Sequence, residues 1–244
     1  MQDSNLLPFL RQRNALPIEL IALQECSQNS AFRATIQPMK IVNLEDVGVE
    51  KAAKLAAKTL SKAGIVLYPT DTIYGLAVDA LNTRALEKLR DLKGREKKKP
   101  ISVIVPDVAS IESYAILSEQ AKHLASRYLP GPLTLVLPGI DKLPEELMLH
   151  GTLGIRVPNH PFTAALSKAF KRPYTATSAN RSGLITGSTV REILEQFGSH
   201  IPHIDLVIDA GPLSGGIPST VVSFTGERLN VLREGAISKE ELQN

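Results

Sequence analysis

Tryptophan is absent from this 244-residue chain and cysteine occurs once, as Cys26. A single thiol cannot close an intramolecular disulfide, and it excludes a thiolate-rich zinc site; reducing cytoplasm is the expected compartment. Aromatic residues make up only 5% of the chain, which argues against a surface that binds nucleic acid by stacking bases. No apolar run approaches the ~20 residues a membrane-spanning helix needs, so no membrane partner is expected. The histidines at 123, 150, 160, 200 and 203 show no HExxH or comparable metal spacing. A GxxxxGK[ST] phosphate loop and a GxGxxG fingerprint are also missing, and Ser178 has no GxSxG context. With a net charge of only +3, the basic residues must be judged by position.

The length suits one large domain or two small ones. Residues 1–38 stand apart: they are rich in Gln and Asn, weakly periodic, and hold Cys26. Their apolar piece, Leu16 to Leu23, is broken by Pro17 and Glu19 and makes a poor secretory core. Arg11, Arg13 and Arg33 suggest organelle targeting, and Asp3, Glu19 and Glu25 count against it. The expectation is a disordered or loosely docked extension followed by one domain over 39–244, with Met39 as an alternative start.

From Ile41 the signals alternate. VEKAAKLAAKTLSKAG predicts a helix closed by Gly64, and TRALEKLRDLKG a second one closed by Gly94. SEQAKHLASRYL, PFTAALSKAF and TVREILEQFG are further helices, the first stopped by Pro130-Gly131-Pro132. IVLYP, ISVIV, LTLVL, GIRV, YTATS, IDLVIDA, STVVSF and RLNVLRE read as strands. The last strands follow one another without helices. The predicted fold is therefore α/β, a mixed parallel and antiparallel sheet with flanking helices.

Open α/β sheets place their sites where strands end, and several polar clusters fall there. Thr70, Asp71 and Thr72 lie near Gly75, where backbone can approach a ligand; alone, they form an ordinary turn bonding local backbone. Lys93 and Arg95 lie two apart beyond a helix end, so an extended loop points both to one side. They offer phosphate a point charge and a planar donor fork. With Lys97, Lys98 and Lys99 they also read, alone, as a solvated basic loop. Ser178, Asn180 and Gly183 can build an anion-binding nest. Ser219 and Thr220 open a late strand, and Arg233 ends another. Such a site would work by positioning reactants and neutralising phosphate charge, without a protein nucleophile.

Taken in order, PTDTIYGL, KGR, PGPLTLVL, GIRVP, TSAN, PSTVV and LREG resemble the YrdC/TsaC family of threonylcarbamoyl-AMP synthases, over about residues 41–237. The family's KxR…SxN signature reads here Lys93-Gly94-Arg95 and Ser178-Ala179-Asn180. The resemblance implies a twisted sheet with a basic concave face, in a short, single-domain form. It implies a nucleotidyltransferase that makes threonylcarbamoyl-AMP and pyrophosphate from L-threonine, bicarbonate or CO2, and ATP, for tRNA threonylcarbamoyladenosine modification. It assigns L-threonine to Thr72, the Ala176 backbone and Ser219. It assigns phosphate and intermediate contacts to Lys93 and Arg95, and ATP to Arg95, Lys99, Thr134, Ser178, Asn180, Thr186 and Arg233. Asp71 is expected to fix its loop. Mg2+ is the implied cofactor, held by ATP phosphates rather than protein side chains. The implied partners are a downstream tRNA threonylcarbamoyl transferase and, weakly, tRNA itself. The chain departs from the family at Lys99, Ile104 and Ser223, where relatives carry Asn, His and Asp.

An alternative from another class is a tRNA- or double-stranded-RNA-binding module, because phosphate contacts by Arg and Lys serve both. Only the enzyme needs small hydroxyl-bearing pockets such as Thr72 and Ser219.

Overall fold

The computed structural model describes residues 39–96, 99–213, 216–225 and 228–243; the expected extension 1–38 and the lysines 97 and 98 of the basic run lie outside them. The described residues begin with β1 (Lys40–Asn43), α1 (Leu44–Val47), α2 (Val49–Leu60), β2 (Val66–Tyr68), β3 (Gly75–Ala77), α3 (Thr83–Lys93) and β4 (Ser102–Ile104). They continue with α4 (Glu119–Tyr128), β5 (Leu133–Pro138), β6 (Thr152–Arg156), α5 (Pro161–Phe170) and β7 (Tyr174–Ser178). They end with α6 (Val190–Phe197), β8 (Leu206–Asp209), β9 (Thr220–Thr225), β10 (Arg228–Arg233) and α7 (Lys239–Gln243).

Local chemistry sets the helix ends. Asn82, Ser118 and Thr189 cap α3, α4 and α6 by accepting hydrogen bonds from backbone N–H groups of the first turn. Gly94 closes α3 in the left-handed conformation, φ 58°. Gly64 does not close α2 as its spacing predicts. The helix stops at Leu60, Ser61 Oγ donates back to Ala57 O at 2.9 Å, and Ala63 takes the positive φ. Such back-bonding hydroxyls compete with continued helix.

The strands form one sheet in the order β1-β8-β2-β3-β7-β4-β6-β5-β9-β10. The pairs β1–β8, β2–β8, β4–β6 and β5–β9 are parallel and the others antiparallel, as the mixed fold requires. Two strands escape the sequence reading. β1 follows the weakly patterned N-terminal stretch, and β3 is three buried residues with no alternation to mark it.

Residues paired across a sheet share a face. One row runs Tyr174, Ile104, Arg156, Thr134, Val221, Arg233 from β7 to β10. Helices α2 and α5 cover one end of this face. Ala52, Ala53, Ala56 and Leu60 of α2, with Phe162 and Leu166 of α5, bury Val66, Tyr68, Tyr174 and Leu206. Each fully buried Leu or Phe contributes roughly 1.5–3 kcal/mol. The other end of the row forms the floor of a cleft.

Candidate active site

Ile104, Arg156, Thr134, Val221 and Arg233 line a cleft of about 720 Å3, open mouth included. The loop after α3 brings in Arg95, the end of β7 brings Ala176 and Ser178, and the approach to β9 brings Ser219. The basic loop and the Ser-Ala-Asn turn thus meet at one cavity.

Arg95 reaches it because Gly94 turns the chain through the left-handed region. Its Nη2 donates to Pro100 O at 2.7 Å, while its buried Nε has no partner among the described residues. A buried donor without a partner calls for a ligand or water, and here it lies on a cationic wall suited to an anion. Burial and the charge of Arg90 both lower the Arg95 pKa. Arg90 holds the loop from behind, donating from Nη1 to Glu96 O and Lys99 O at 3.0 Å each, and from Nη2 to Glu146 O.

Lys93 takes its partners from the Ser178–Asn180 turn. It is 1% exposed, and its Nζ donates to Ser178 O, to Asn180 O at 2.7 Å and to Asn180 Oδ1 at 3.1 Å. The expectation that both side chains point the same way treats the loop as extended. The helix runs through Lys93 and Gly94 is left-handed, so the segment is not extended. Burial, then the Arg95 charge, pulls the Lys93 pKa down to about 7.

The remaining candidates divide. Thr134, Ser178 and Arg233 join Arg95 on the cleft wall, whereas Lys99, Asn180 and Thr186 are not among its lining residues. Lys99 is exposed and paired with Glu96 at 3.2 Å. Asn180 sits beneath the turn, its Oδ1 accepting from Ser178 Oγ at 2.6 Å and its Nδ2 donating to Leu184 O. Ala176 and Ser219 line the cleft. Thr134 Oγ1 and Ser219 Oγ are 2.9 Å apart, and Arg233 Nη2 donates to Ser219 O at 2.7 Å. Thr72 is buried just behind, its Oγ1 3.0 Å from that of the lining Thr70.

Arg156 lines the cleft and is left unassigned by motif reading. It is 7% exposed, with Nη2 at 2.5 Å from Asp71 Oδ1 and 2.9 Å from Thr72 Oγ1. Burial lowers its pKa and the Asp71 charge raises it. Asp71 Oδ2 also accepts from Asn159 N at 3.1 Å, so Asp71 ties its loop to the segment after β6. A lone arginine within the apolar strand sequence GIRV was the available signal, because a buried charge must be paired or used.

The lining tyrosines do not supply a base: burial raises the pKa of Tyr68 well above its ordinary value and that of Tyr74 to about 12. Among the described residues no His, Cys, Asp and Glu cluster could hold a metal ion, and no helix is long and apolar enough to cross a membrane. The cleft offers guanidinium groups, hydroxyls and backbone, a set suited to holding an anionic substrate and stabilising developing charge.

Residues 58–235 match the Sua5/YciO/YrdC family, whose description reads telomere recombination. The threonylcarbamoyl-AMP synthase of Bacillus subtilis is 35% identical over 191 residues, 77% of this chain and 54% of the relative. The mouse threonylcarbamoyl-AMP synthase is 33% identical over 207 residues, 82% of this chain and 72% of the relative. A solved structure, Pyrococcus abyssi Sua5 complexed with L-threonine, is similar at TM-score 0.77 and 31% identity, over 84% of this chain and 60% of that one. The chain therefore spans just over half the length of the Bacillus and Pyrococcus proteins.

Proposed function

The chain belongs to the Sua5/YciO/YrdC family, and from that premise we propose that it is a threonylcarbamoyl-AMP synthase, a nucleotidyltransferase acting on L-threonine, bicarbonate or CO2, and ATP. The observation that carries this reading is the convergence of Arg95, Ser178 and the Thr134–Ser219 hydroxyl pair on one cleft.

In this reading L-threonine lies by Ser219, the Ala176 backbone and Thr72, within reach of Arg156. Its amine takes up bicarbonate with loss of water, giving an N-carboxylate. That carboxylate oxygen attacks the α-phosphorus of ATP, the bond to the bridging oxygen breaks, and pyrophosphate leaves. Because the substrate carries the nucleophile, the protein needs only to align the reactants and neutralise growing charge. Arg95 and Arg233, both on the cleft wall, do the latter. Mg2+ would be held by the phosphates and water and would supply charge neutralisation at the leaving group.

The product is a mixed anhydride that a separate transferase must pass to tRNA, with at most a weak direct tRNA contact here. Cytoplasm, with the lone cysteine reduced, is the compartment that fits. The RNA-binding alternative is not favoured, since Arg156 and Arg233 face a cleft of small hydroxyl-bearing groups. The test incubates the protein with ATP, labelled bicarbonate and single amino acids. Threonine-dependent pyrophosphate with a labelled adenylate is expected; pyrophosphate independent of the amino acid would sink the assignment.

A further inference from the structure

We propose that Lys93 is a positioning residue that acts through the Ser178–Asn180 turn and makes no contact with phosphate. The inference rests on the functional reading above and assigns the lysine of the basic motif a role as strut.

An ammonium has three donors, and Lys93 Nζ meets three acceptors: Ser178 O, Asn180 O and Asn180 Oδ1. Its backbone joins the same turn, with Ser182 N donating to Lys93 O at 2.9 Å. The residue is thus stitched to the turn by both main chain and side chain, at the helix end from which Gly94 sends Arg95 into the cleft. Asn180 Oδ1, held by Lys93 Nζ, also accepts from Ser178 Oγ at 2.6 Å, which aims the hydroxyl of a cleft-lining residue. One buried side chain therefore sets two parts of the nucleotide site against each other. Reaching a phosphate would require withdrawing a donor from a buried carbonyl, at the cost of an unsatisfied group.

A phosphate ligand and a strut differ in how their loss scales with phosphate number. Affinities of wild type and Lys93→Met for AMP, ADP and ATP separate them. A strut predicts the same factor of weakening for all three, on the order of tenfold, with no rescue by Lys93→Arg, whose planar fork cannot meet the same three acceptors. A loss that grows from AMP to ATP, a loss that Lys93→Arg repairs, or no loss at all overturns the proposal. Should Lys93→Met not fold, the wild-type Lys93 Nζ resonance followed during titration with ATP decides. Retained bonds to Ser178 and Asn180 support the strut, and coupling to phosphorus refutes it. A wild type that binds none of the three nucleotides removes the functional reading together with this one, whereas phosphate-graded loss removes this one alone.

Discussion

Asp71→Ala strands a buried guanidinium. The Asp71 and Arg156 side chains are 10% and 8% exposed, and their atoms lie 2.5 Å apart. The other acceptors of Arg156 are neutral: Thr72 Oγ1 at 2.9 Å and Gly131 O at a long 3.4 Å. Deleting one partner of a buried pair costs about 3–5 kcal/mol, because the remaining charge stays desolvated. The Asn159 N–H also loses its acceptor, but at an exposed position where water replaces it. For a domain of this size that cost lowers the melting temperature by roughly 6–20 °C. Urea denaturation and calorimetry measure it. The loss should persist in about 0.5 M salt, since buried pairs are screened little. Asp71→Asn, similar in shape but uncharged, should lose most of the same stability. A change below about 1 kcal/mol, or one that salt abolishes, would refute the claim that this pair is buried and holds the cleft floor.

Gly94→Ala should cost about 1–2 kcal/mol of stability. It should also raise KM for ATP, because φ is 58° there and the position aims Arg95; among the described residues only Arg181 Nη2, 3.8 Å from the added Cβ, is close, so the penalty is conformational. An unchanged KM would mean that Arg95 reaches the nucleotide regardless of the turn. The Lys93 pKa lies near 7 rather than the ordinary 10.5. Between those values the unfolded chain binds a proton that the native protein does not, so stability rises with pH, at no more than ~1.4 kcal/mol per pH unit. Over the same range a neutral amine leaves one acceptor unserved, and nucleotide affinity should fall. Lys93→Met should flatten both profiles, and a persisting slope in that variant would assign it to another group.

Helix and strand composition made most of the fold legible. Gly94 and the late strands without helices between them are local signals that survive folding, whereas Gly64 does not close its helix. Strand register is not local. No periodicity reveals that Ile104, Arg156, Thr134, Val221 and Arg233 stand in one row, and Arg156 went unassigned for that reason. Lys93 shows the complementary limit. Spacing two apart fixes a shared side only in extended chain, and here a helical residue precedes a left-handed glycine, so spacing alone does not place the two side chains. Asn180 Oδ1 accepts from Lys93 Nζ and Ser178 Oγ, and the first of these partners is too distant in sequence for spacing to reveal.

Threonine-dependent pyrophosphate release, measured side by side for wild type and Arg95→Ala, tests most directly whether this cleft performs adenylate transfer. A wild-type burst that falls to background in an Arg95→Ala protein of unchanged fold is the predicted result. Equal turnover by the two proteins would contradict the account, since the residue that joins the basic loop to the cavity would then be dispensable.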